Sequence, residues 1–311
     1  MVCFIEDSQG VIDISENNVD ILLLIPCFNE EENIEHILEH LRSVKQNFQK
    51  RSELILKILI INDGSTDRTK QILEKKNHDS LFSIVNFKEN RGYGYTLIRG
   101  FKYAKEMKFS WIITFDMDGQ HEPKYLYKFI ELILERPQEQ IISGSRYKNS
   151  DHFWQNPWKD RFLVNTIITG VLNTIGFSIT DAFCGLKAYE CIAINDLELE
   201  ITGYEIPIEI WIKSLKKEYN IIEKGVPVIY KDRDAVLKNA KDSFLFKKGE
   251  ERIEKYIHLI ELLTNTPLKT KLNVFKSIFS NYFNTVDDIT KYNFKKIQES
   301  IFTQIRELES K

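Results

Sequence analysis

The sequence has few cysteines and no long apolar run, and these two absences exclude several classes of protein. Its four cysteines form no C-x-x-C pair and no zinc-ligand spacing with histidine, so we expect free thiols in a reducing cytoplasm. No apolar run approaches the roughly 18 residues that a membrane-spanning helix needs. Glu6 and Asp7 stand where a signal peptide would carry lysine or arginine, so we expect no secretion signal.

The sequence also lacks an excess of either charge. Lysine and arginine number 43 against 46 aspartate and glutamate residues, which gives a net charge of -3. Without a dominant positive field, we expect no nucleic-acid partner. Hydrophobic residues make up 42% of the chain, which is enough for a packed core and argues against a disordered protein.

Two nucleotide-binding motifs are missing as well. No G-x-G-x-x-G follows the first predicted strand, and no G-x-x-x-x-G-K-[ST] occurs anywhere in the chain. Dinucleotide-binding and P-loop proteins depend on these glycine-rich turns to bring the backbone close to phosphate groups. Both classes therefore lose their main support.

Residues 20–145 alternate short apolar runs with amphipathic helical patterns, which is typical of parallel βαβ units. The first run, 21–25, is too apolar for a half-exposed strand and indicates a sheet covered on both faces. Asn29, with Glu32 three residues later, predicts a helix N-cap. A late strand is predicted at 226–230. The fold class is therefore α/β with a mostly parallel sheet.

The pattern changes after about residue 235, where helical periodicity replaces the alternation and glycine becomes scarce. We divide the chain into an N-terminal extension (1–19), an α/β domain (20–235) and a helical C-terminal appendage (236–311). Within the appendage, lysines interleaved with apolar residues allow two interpretations, an interfacial membrane helix or a helix that packs on the domain or on a second copy. The residues concerned are Lys269, Lys271, Leu272, Val274, Phe275, Lys276 and Phe279.

Two acidic residues follow the fourth predicted strand. Asp116 and Asp118 are separated by one residue, so in an extended chain both project to the same side. Two anions this close repel each other unless a cation lies between them. Carboxylates, with the amide of Gln120 as a further ligand, suit Mg²⁺ or Mn²⁺, which often accompany diphosphates. The alternative is an ordinary turn with two solvated aspartates.

Four predicted strands end in small, polar or aromatic residues. In a parallel sheet the carboxyl ends share one edge, so residues distant in sequence converge there. The four segments are 26–30, 62–67, 90–94 and 116–121.

Together with two later segments, these motifs resemble the nucleotide-sugar-dependent glycosyltransferases of family 2, which have the GT-A fold. The similarity is greatest to the dolichyl-phosphate mannose and glucose synthase branch. The matching stretches run in family order and cover residues 20 to 235: Pro26–Glu30, Asn62–Asp67, Asn90–Gly94, Asp116–His121, Gly144–Tyr147 and Asp181–Lys187.

The resemblance implies roles for individual residues. Pro26, Phe28 and Glu30 would bind the nucleoside, and Asp63 would accept hydrogen bonds from the base. Phe28 stands where the family usually has tyrosine, so a ring can stack on the base but a phenol hydrogen bond is lost. The alternatives are a core aromatic for Phe28 and a turn residue for Asp63. The remaining implied ligands of the nucleotide sugar are Arg91, Gly92, Asp116 and Asp118, of which the last two, with Gln120, would hold the metal.

Four charged residues are candidates for the transfer step itself. Arg146 and Arg161 each offer a planar fork for phosphate oxygens, although Arg161 can instead pair with Asp160. Asp181 is the candidate general base if the acceptor is a hydroxyl, and otherwise a turn or cap residue. The resemblance also counts Arg233 among the residues that bind the nucleotide sugar or the acceptor phosphate, because it lies where the family branch has a basic segment, but residues 234–238 depart from that pattern.

The function expected from this resemblance is inverting transfer of a hexosyl unit from a UDP- or GDP-sugar by in-line displacement. A polyprenyl phosphate acceptor would need no strong base, whereas a sugar hydroxyl would. A nucleotidyltransferase and a non-catalytic nucleotide-sugar-binding scaffold are the alternatives, and the acidic stretch 26–32 argues against the former.

We expect a cytoplasmic protein, with peripheral membrane contact and homodimerisation as further hypotheses. The aromatic loop residues Phe153, Trp154 and Trp158 either cover the donor, contact the acceptor or pack in the core.

Overall fold

A computed structural model describes residues 20–49, 55–77, 81–136, 138–148, 159–227, 229, 242–286 and 294–309. These residues form two compact units. The first unit contains the described residues up to Ser143 together with Gly185–Ile206 and Tyr219–Ile222. The second contains Gly144–Cys184, Pro207–Glu218 and the described residues from Glu223 onward. The predicted extension 1–19, the boundary at 235/236, the loop with Phe153, Trp154 and Trp158, and Arg233 lie outside the described residues.

The described residues contain one seven-stranded sheet with the order β3-β2-β1-β4-β6-β5-β7. Its strands are β1 (Asp20–Cys27), β2 (Ile55–Asn62), β3 (Ser83–Asn86), β4 (Trp111–Thr114), β5 (Ile141–Ser145), β6 (Lys187–Glu190) and β7 (Ile221–Gly225).

The pairing within this sheet follows the predicted pattern. β1 pairs in parallel with β2 and with β4, and β2 pairs in parallel with β3. β6 runs antiparallel to both β4 and β5. Ile21 to Ile25 of β1 are at most 1% exposed, as expected for a central strand that is covered on both faces. The predicted α/β class with a mostly parallel sheet is confirmed.

Helices connect and flank the strands. In chain order they are α1 (Ile34–Gln49), α2 (Thr69–Lys76), α3 (Tyr93–Glu106), α4 (Leu126–Glu135), α5 (Lys159–Thr174), α6 (Cys191–Asp196), α7 (Ile206–Lys216), α8 (Asp242–Thr264), α9 (Leu272–Thr285) and α10 (Phe294–Glu309). None of the helices in the described ranges combines the length and the apolar composition that a transmembrane segment requires.

Two local predictions are wrong. Asn29 is not an N-cap, because α1 begins at Ile34 and the side chain of Asn29 accepts a hydrogen bond from the backbone N–H of Thr66 at 2.8 Å. The late strand is β7, which ends at Gly225; of the predicted stretch 226–230, residues 226, 227 and 229 are not in a strand, and 228 and 230 lie outside the described residues. β7 is half-exposed and weakly apolar, so the sequence shows a clearer strand-like apolar pattern in the stretch that follows it than in β7 itself. Pro227 in that stretch has no N–H for a ladder.

The C-terminal helices pack around α5 in the second unit. α8, α9 and α10 all contact α5, which is buried along most of its length. Phe275 and Phe279 of α9 are fully buried, and Lys276 forms an ion pair with Glu254 of α8. The apolar residues that an interfacial helix would insert into a bilayer are therefore used inside this unit. The packing supports the alternative interpretation of a helix that docks on its own chain.

Candidate functional site

A cleft of about 480 Å³ lies at the carboxyl ends of β1, β2 and β4 in the first unit. Each of the four strand-end segments contributes to it, so the predicted convergence occurs. Its volume lies in the range of small-molecule sites. The lining residues are Pro26, Cys27, Phe28, Glu30, Asp63, Asn90, Gly92, Tyr93, Thr96, Asp116, Met117, Asp118 and Tyr204.

Asp116 and Asp118 both line the cleft just beyond β4. The backbone N–H of Phe115 donates to the carbonyl of Leu24 at 3.1 Å, so the chain stays paired with β1 up to the residue before Asp116. Met117, between the two acids, is buried, which is consistent with an alternation that turns both carboxylates the same way. This placement favours the predicted ligand-binding pair over the alternative of a turn with two solvated aspartates.

The charge on Asp116 is poorly compensated. Burial, and then the negative charge of Asp118, raise the pKa of the Asp116 carboxyl from 3.8 to about 6. His121, the hydroxyl of Tyr93 and Lys187 act in the opposite direction without reversing the shift. A carboxylate with a raised pKa in a cleft is typical of a ligand-binding position.

Among the residues that the structure describes, the lining of the cleft contains four carboxylates and neither lysine nor arginine. Glu30 and Asp63 lie on the β1 and β2 side, and Asp116 and Asp118 lie beyond β4. Hard oxygen donors in this arrangement fit Mg²⁺ or Mn²⁺. Among the described residues no cluster of three or more histidine, cysteine, aspartate or glutamate side chains could hold a metal ion, so the fit rests on the aspartate pair with oxygens from a ligand or water.

Gly185 forms part of the cradle for Asp116. The hydroxyl of Thr114 donates to the carbonyl of Gly185 at 2.7 Å and so fixes the glycine beside the end of β4. A Cβ atom built on Gly185 would overlap Oδ2 of Asp116. This position therefore needs glycine because of the space that the carboxylate occupies.

Asp63 anchors the loop at the start of α3. It is only 4% exposed, and its Oδ1 and Oδ2 accept hydrogen bonds from the backbone N–H groups of Arg91 and Gly92 at 2.8 and 2.9 Å. Gly92 has a φ of 101°, which favours glycine. Each oxygen of Asp63 retains a second lone pair, so its contact with a base stays a prediction.

The other nucleotide-site residues differ in how well the structure supports them. Phe28 is 39% exposed at the cleft, so the alternative of a core aromatic is wrong. The guanidinium of Arg91 donates to the hydroxyl of Tyr95 at 3.1 Å and is not part of the cleft lining. Gln120 is also outside the lining, and it is its backbone N–H that donates to Oδ1 of Asp118, at 2.9 Å.

Asp181 and Arg146 form a buried ion pair within the second unit. Nε and a terminal nitrogen of Arg146 donate to the two oxygens of Asp181 at 2.7 and 2.9 Å, and the backbone N–H of Arg146 donates at 3.0 Å. Asp181 has no exposed surface and also accepts the N–H of Phe183. These bonds stabilise the ionised carboxylate and cover its oxygens, so the geometry argues against a general base here.

Arg161 lies in the first turn of α5 and is half-buried. Its suggested partner Asp160 forms an ion pair with Arg252 of α8 at 3.3 Å. The phosphate-binding role of Arg161 stays a prediction, as does that of Arg146.

Sequence reasoning missed three residues around Asp116. Tyr93 and Gly185 lie within quoted motifs, but no role was inferred for either. Tyr204 follows a stretch without a recognisable motif, and only its aromatic side chain beside a glycine could have drawn attention. It lines the cleft and is 71% exposed.

Several known proteins are similar to this chain in sequence. The model of the family described as Glycosyl transferase family 2 matches residues 23–197. The UDP-N-acetylglucosamine–dolichyl-phosphate N-acetylglucosaminyltransferase of Methanococcus voltae is 30% identical over 227 residues, which are 68% of this chain and 86% of that protein. The dolichol-phosphate mannosyltransferase of Pyrococcus furiosus is 27% identical over 61% of this chain and 52% of that protein.

A solved structure shows the same fold. Glucosyl-3-phosphoglycerate synthase from Mycobacterium tuberculosis, in complex with Mn²⁺, UDP and glucosyl-3-phosphoglycerate, superposes with a TM-score of 0.55. The match covers 80% of this chain and 81% of that one at 15% identity. At this identity the likeness concerns the fold, and it confirms the predicted GT-A class.

The cradle at Gly185 leads to a first prediction. Gly185→Ala should weaken Mn²⁺ binding, because the new methyl group takes the place of Oδ2 of Asp116 and turns that carboxylate out of position. The side chain of Asp116 can rotate, so the protein should still fold. Isothermal titration with Mn²⁺ measures the effect. Gly170→Ala is the matched control, since its Cβ would instead meet the side chain of Ile305 in the second unit. Unchanged Mn²⁺ affinity in Gly185→Ala would contradict the assignment.

The raised pKa of Asp116 leads to a second prediction. Because the pKa in the folded protein, about 6, lies above the unfolded value of 3.8, ionisation of Asp116 destabilises the fold above that range and has no cost below it. Asp116→Asn removes the charge. The melting temperature of the metal-free variant relative to wild type should therefore rise between pH 5 and pH 8. A difference that stays constant, or that falls, over this range would show that the carboxylate is not under electrostatic strain.

Proposed function

The chain belongs to glycosyltransferase family 2, and from this premise we propose that it transfers a hexosyl unit from a UDP- or GDP-sugar to a polyprenyl phosphate. The proposal rests above all on one observation, the cleft whose lining, in the part of the chain that the structure describes, has four carboxylates and no cationic side chain. Such a cleft repels a nucleoside diphosphate unless a divalent cation is bound with it. Family membership also argues against a nucleotidyltransferase and against a non-catalytic scaffold.

The names of the relatives support the two substrates. The Methanococcus voltae protein is named for transfer from UDP-N-acetylglucosamine to dolichyl phosphate, and the Pyrococcus furiosus protein for transfer of mannose to dolichol phosphate. The mycobacterial synthase was solved with UDP and Mn²⁺. UDP- and GDP-sugars both remain in the proposal, since these names point to different donors.

Asp116 and Asp118 are the residues that would hold Mg²⁺ or Mn²⁺. The bound ion would supply positive charge against the diphosphate, whose negative charge increases as the sugar leaves. Tyr93 donates its hydroxyl hydrogen to Oδ1 of Asp116 at 3.1 Å, and Gly185 leaves room for Oδ2. These two residues orient the carboxylate before any ligand arrives. At the other side of the cleft, Phe28 would stack on the base and Asp63 would keep the loop at Gly92 in place.

The state of Asp181 bears on the acceptor. A sugar hydroxyl must lose a proton during transfer and needs a base, whereas a phosphate oxygen is already ionised. The predicted base, Asp181, is fully buried and bonded to Arg146. A phosphate acceptor needs no proton removed, so it is the acceptor that suits this protein better. Transfer would then depend mainly on holding the acceptor oxygen in line with the anomeric carbon.

A polyprenyl acceptor would also bring the protein to the cytoplasmic face of a membrane. This location and the homodimer stay predictions.

A transfer assay tests the proposal. The protein is incubated with Mn²⁺, a short-chain polyprenyl phosphate and one of three radiolabelled donors, UDP-N-acetylglucosamine, UDP-glucose or GDP-mannose. We expect label in the lipid extract with at least one donor. Asp118→Asn should lower the rate by about a hundredfold or more, because one of two carboxylates that position the cation is lost.

Asp196→Asn is the matched control, since it removes the same charge from an exposed position where Tyr219 donates a hydrogen bond. It should keep the wild-type rate. Absence of labelled lipid with every donor would contradict the acceptor assignment, and an equal rate in Asp118→Asn would contradict the metal site. Label transferred to a free sugar but not to the lipid would favour the hydroxyl acceptor.

A further inference from the structure

An exposed aromatic ring stands at the cleft without a role in the core. Tyr204 is 71% exposed and lines the cleft. Its ring stacks on the ring of Tyr93 with a centroid distance of 5.4 Å and an angle of 11° between the planes. One face of Tyr204 therefore rests on Tyr93, and the ring is otherwise largely open to the solvent at the cleft.

The position of Tyr204 is fixed by the backbone before it. The N–H of Tyr95 donates to the carbonyl of Thr202 at 3.0 Å. A Cβ atom on Gly94 would overlap the carbonyl oxygen of Ile201, so glycine at the start of α3 lets this backbone approach closely. An exposed ring held by a hydrogen bond, a close backbone contact and a stacked partner is preorganised for a ligand, which reduces the entropy lost on binding.

The Tyr93–Tyr204 pair adjoins the proposed metal site. The hydroxyl of Tyr93 donates to Oδ1 of Asp116 at 3.1 Å, so the pair stands directly beside that carboxylate. The cleft has another exposed ring, Phe28, at the end of β1, and that ring is the candidate for the base. In a nucleotide sugar, the diphosphate separates the base from the sugar. Since Phe28 is the candidate for the base, Tyr204, the exposed ring beside the residue that would hold the diphosphate, is the candidate for the sugar.

We propose that Tyr204 is the stacking platform for the hexosyl group of the donor. This inference rests on the proposed function. A hexose ring presents weakly polarised C–H groups on its less polar face, and the face of an aromatic ring carries partial negative charge that attracts them. The ring of Tyr93 packs against one face of Tyr204, and its hydroxyl donates to Asp116. Tyr204 thus sets the preference for a sugar nucleotide over the free nucleoside diphosphate.

Two pairs of probes separate the sugar contact from the nucleotide contact. Isothermal titration in the presence of Mn²⁺ compares UDP with UDP-N-acetylglucosamine, and GDP with GDP-mannose. In Tyr204→Ala we expect the affinity for the sugar nucleotide to fall by about three- to tenfold, the loss of one aromatic stacking contact, with the affinity for the nucleoside diphosphate unchanged. Tyr204→Phe keeps the ring and should keep both affinities.

Ile192→Ala is a matched control, because it truncates an 80% exposed apolar side chain that is not part of the cleft lining. It should leave all four affinities unchanged. Equal losses for UDP and UDP-N-acetylglucosamine in Tyr204→Ala would place the ring on the nucleotide and overturn the inference, as would no loss for either. If the wild type binds none of the four probes, the proposed function itself fails together with this inference.

Discussion

Repulsion between carboxylates that share one cleft, which His121 and Lys187 offset only in part at Asp116, is the constraint on which this site depends. Asp116 and Asp118 face the same cleft as Glu30 and Asp63, and no lysine or arginine of the described ranges lines it. Asp63 is bonded to the loop at the start of α3, whereas Asp116 and Asp118 depend on the structure around them to hold them in place. β1 pairs with the chain as far as Phe115, Thr114 fixes Gly185, and Tyr93 donates to Asp116.

Asp181 provides a contrast in the same protein, because its hydrogen bonds go to groups of its own chain. It is fully buried but is held by a two-point ion pair with Arg146 and by backbone N–H groups. Such a carboxylate is satisfied by its own chain. Asp116 has one hydroxyl donor that the structure records, and its pKa is raised by burial and by Asp118. The contrast supports the proposed ligand-binding role of Asp116 and argues for a positioning role of Asp181.

The parts of the site that follow from strand order were predictable from sequence. The apolar run of β1 and the acids beyond β4 are local patterns, and the shared edge of parallel strands brings them together. Features that depend on tertiary contacts were not predictable. The side chain of Arg91 turns to Tyr95, Asn29 bonds to another loop instead of capping a helix, and β7 lacks a strongly apolar run. Tyr204 reaches the cleft only because the backbone of Ile201–Gly203 packs on the start of α3.

The most direct test of the account is the affinity for UDP and GDP measured by isothermal titration in Mn²⁺ and, separately, in EDTA. As far as the chain is described, no cationic side chain stands beside the four carboxylates in the cleft lining. We therefore expect that at least one nucleotide binds in Mn²⁺ and that neither binds measurably in EDTA. Equal affinity with and without the cation would contradict the central role of the acidic cleft.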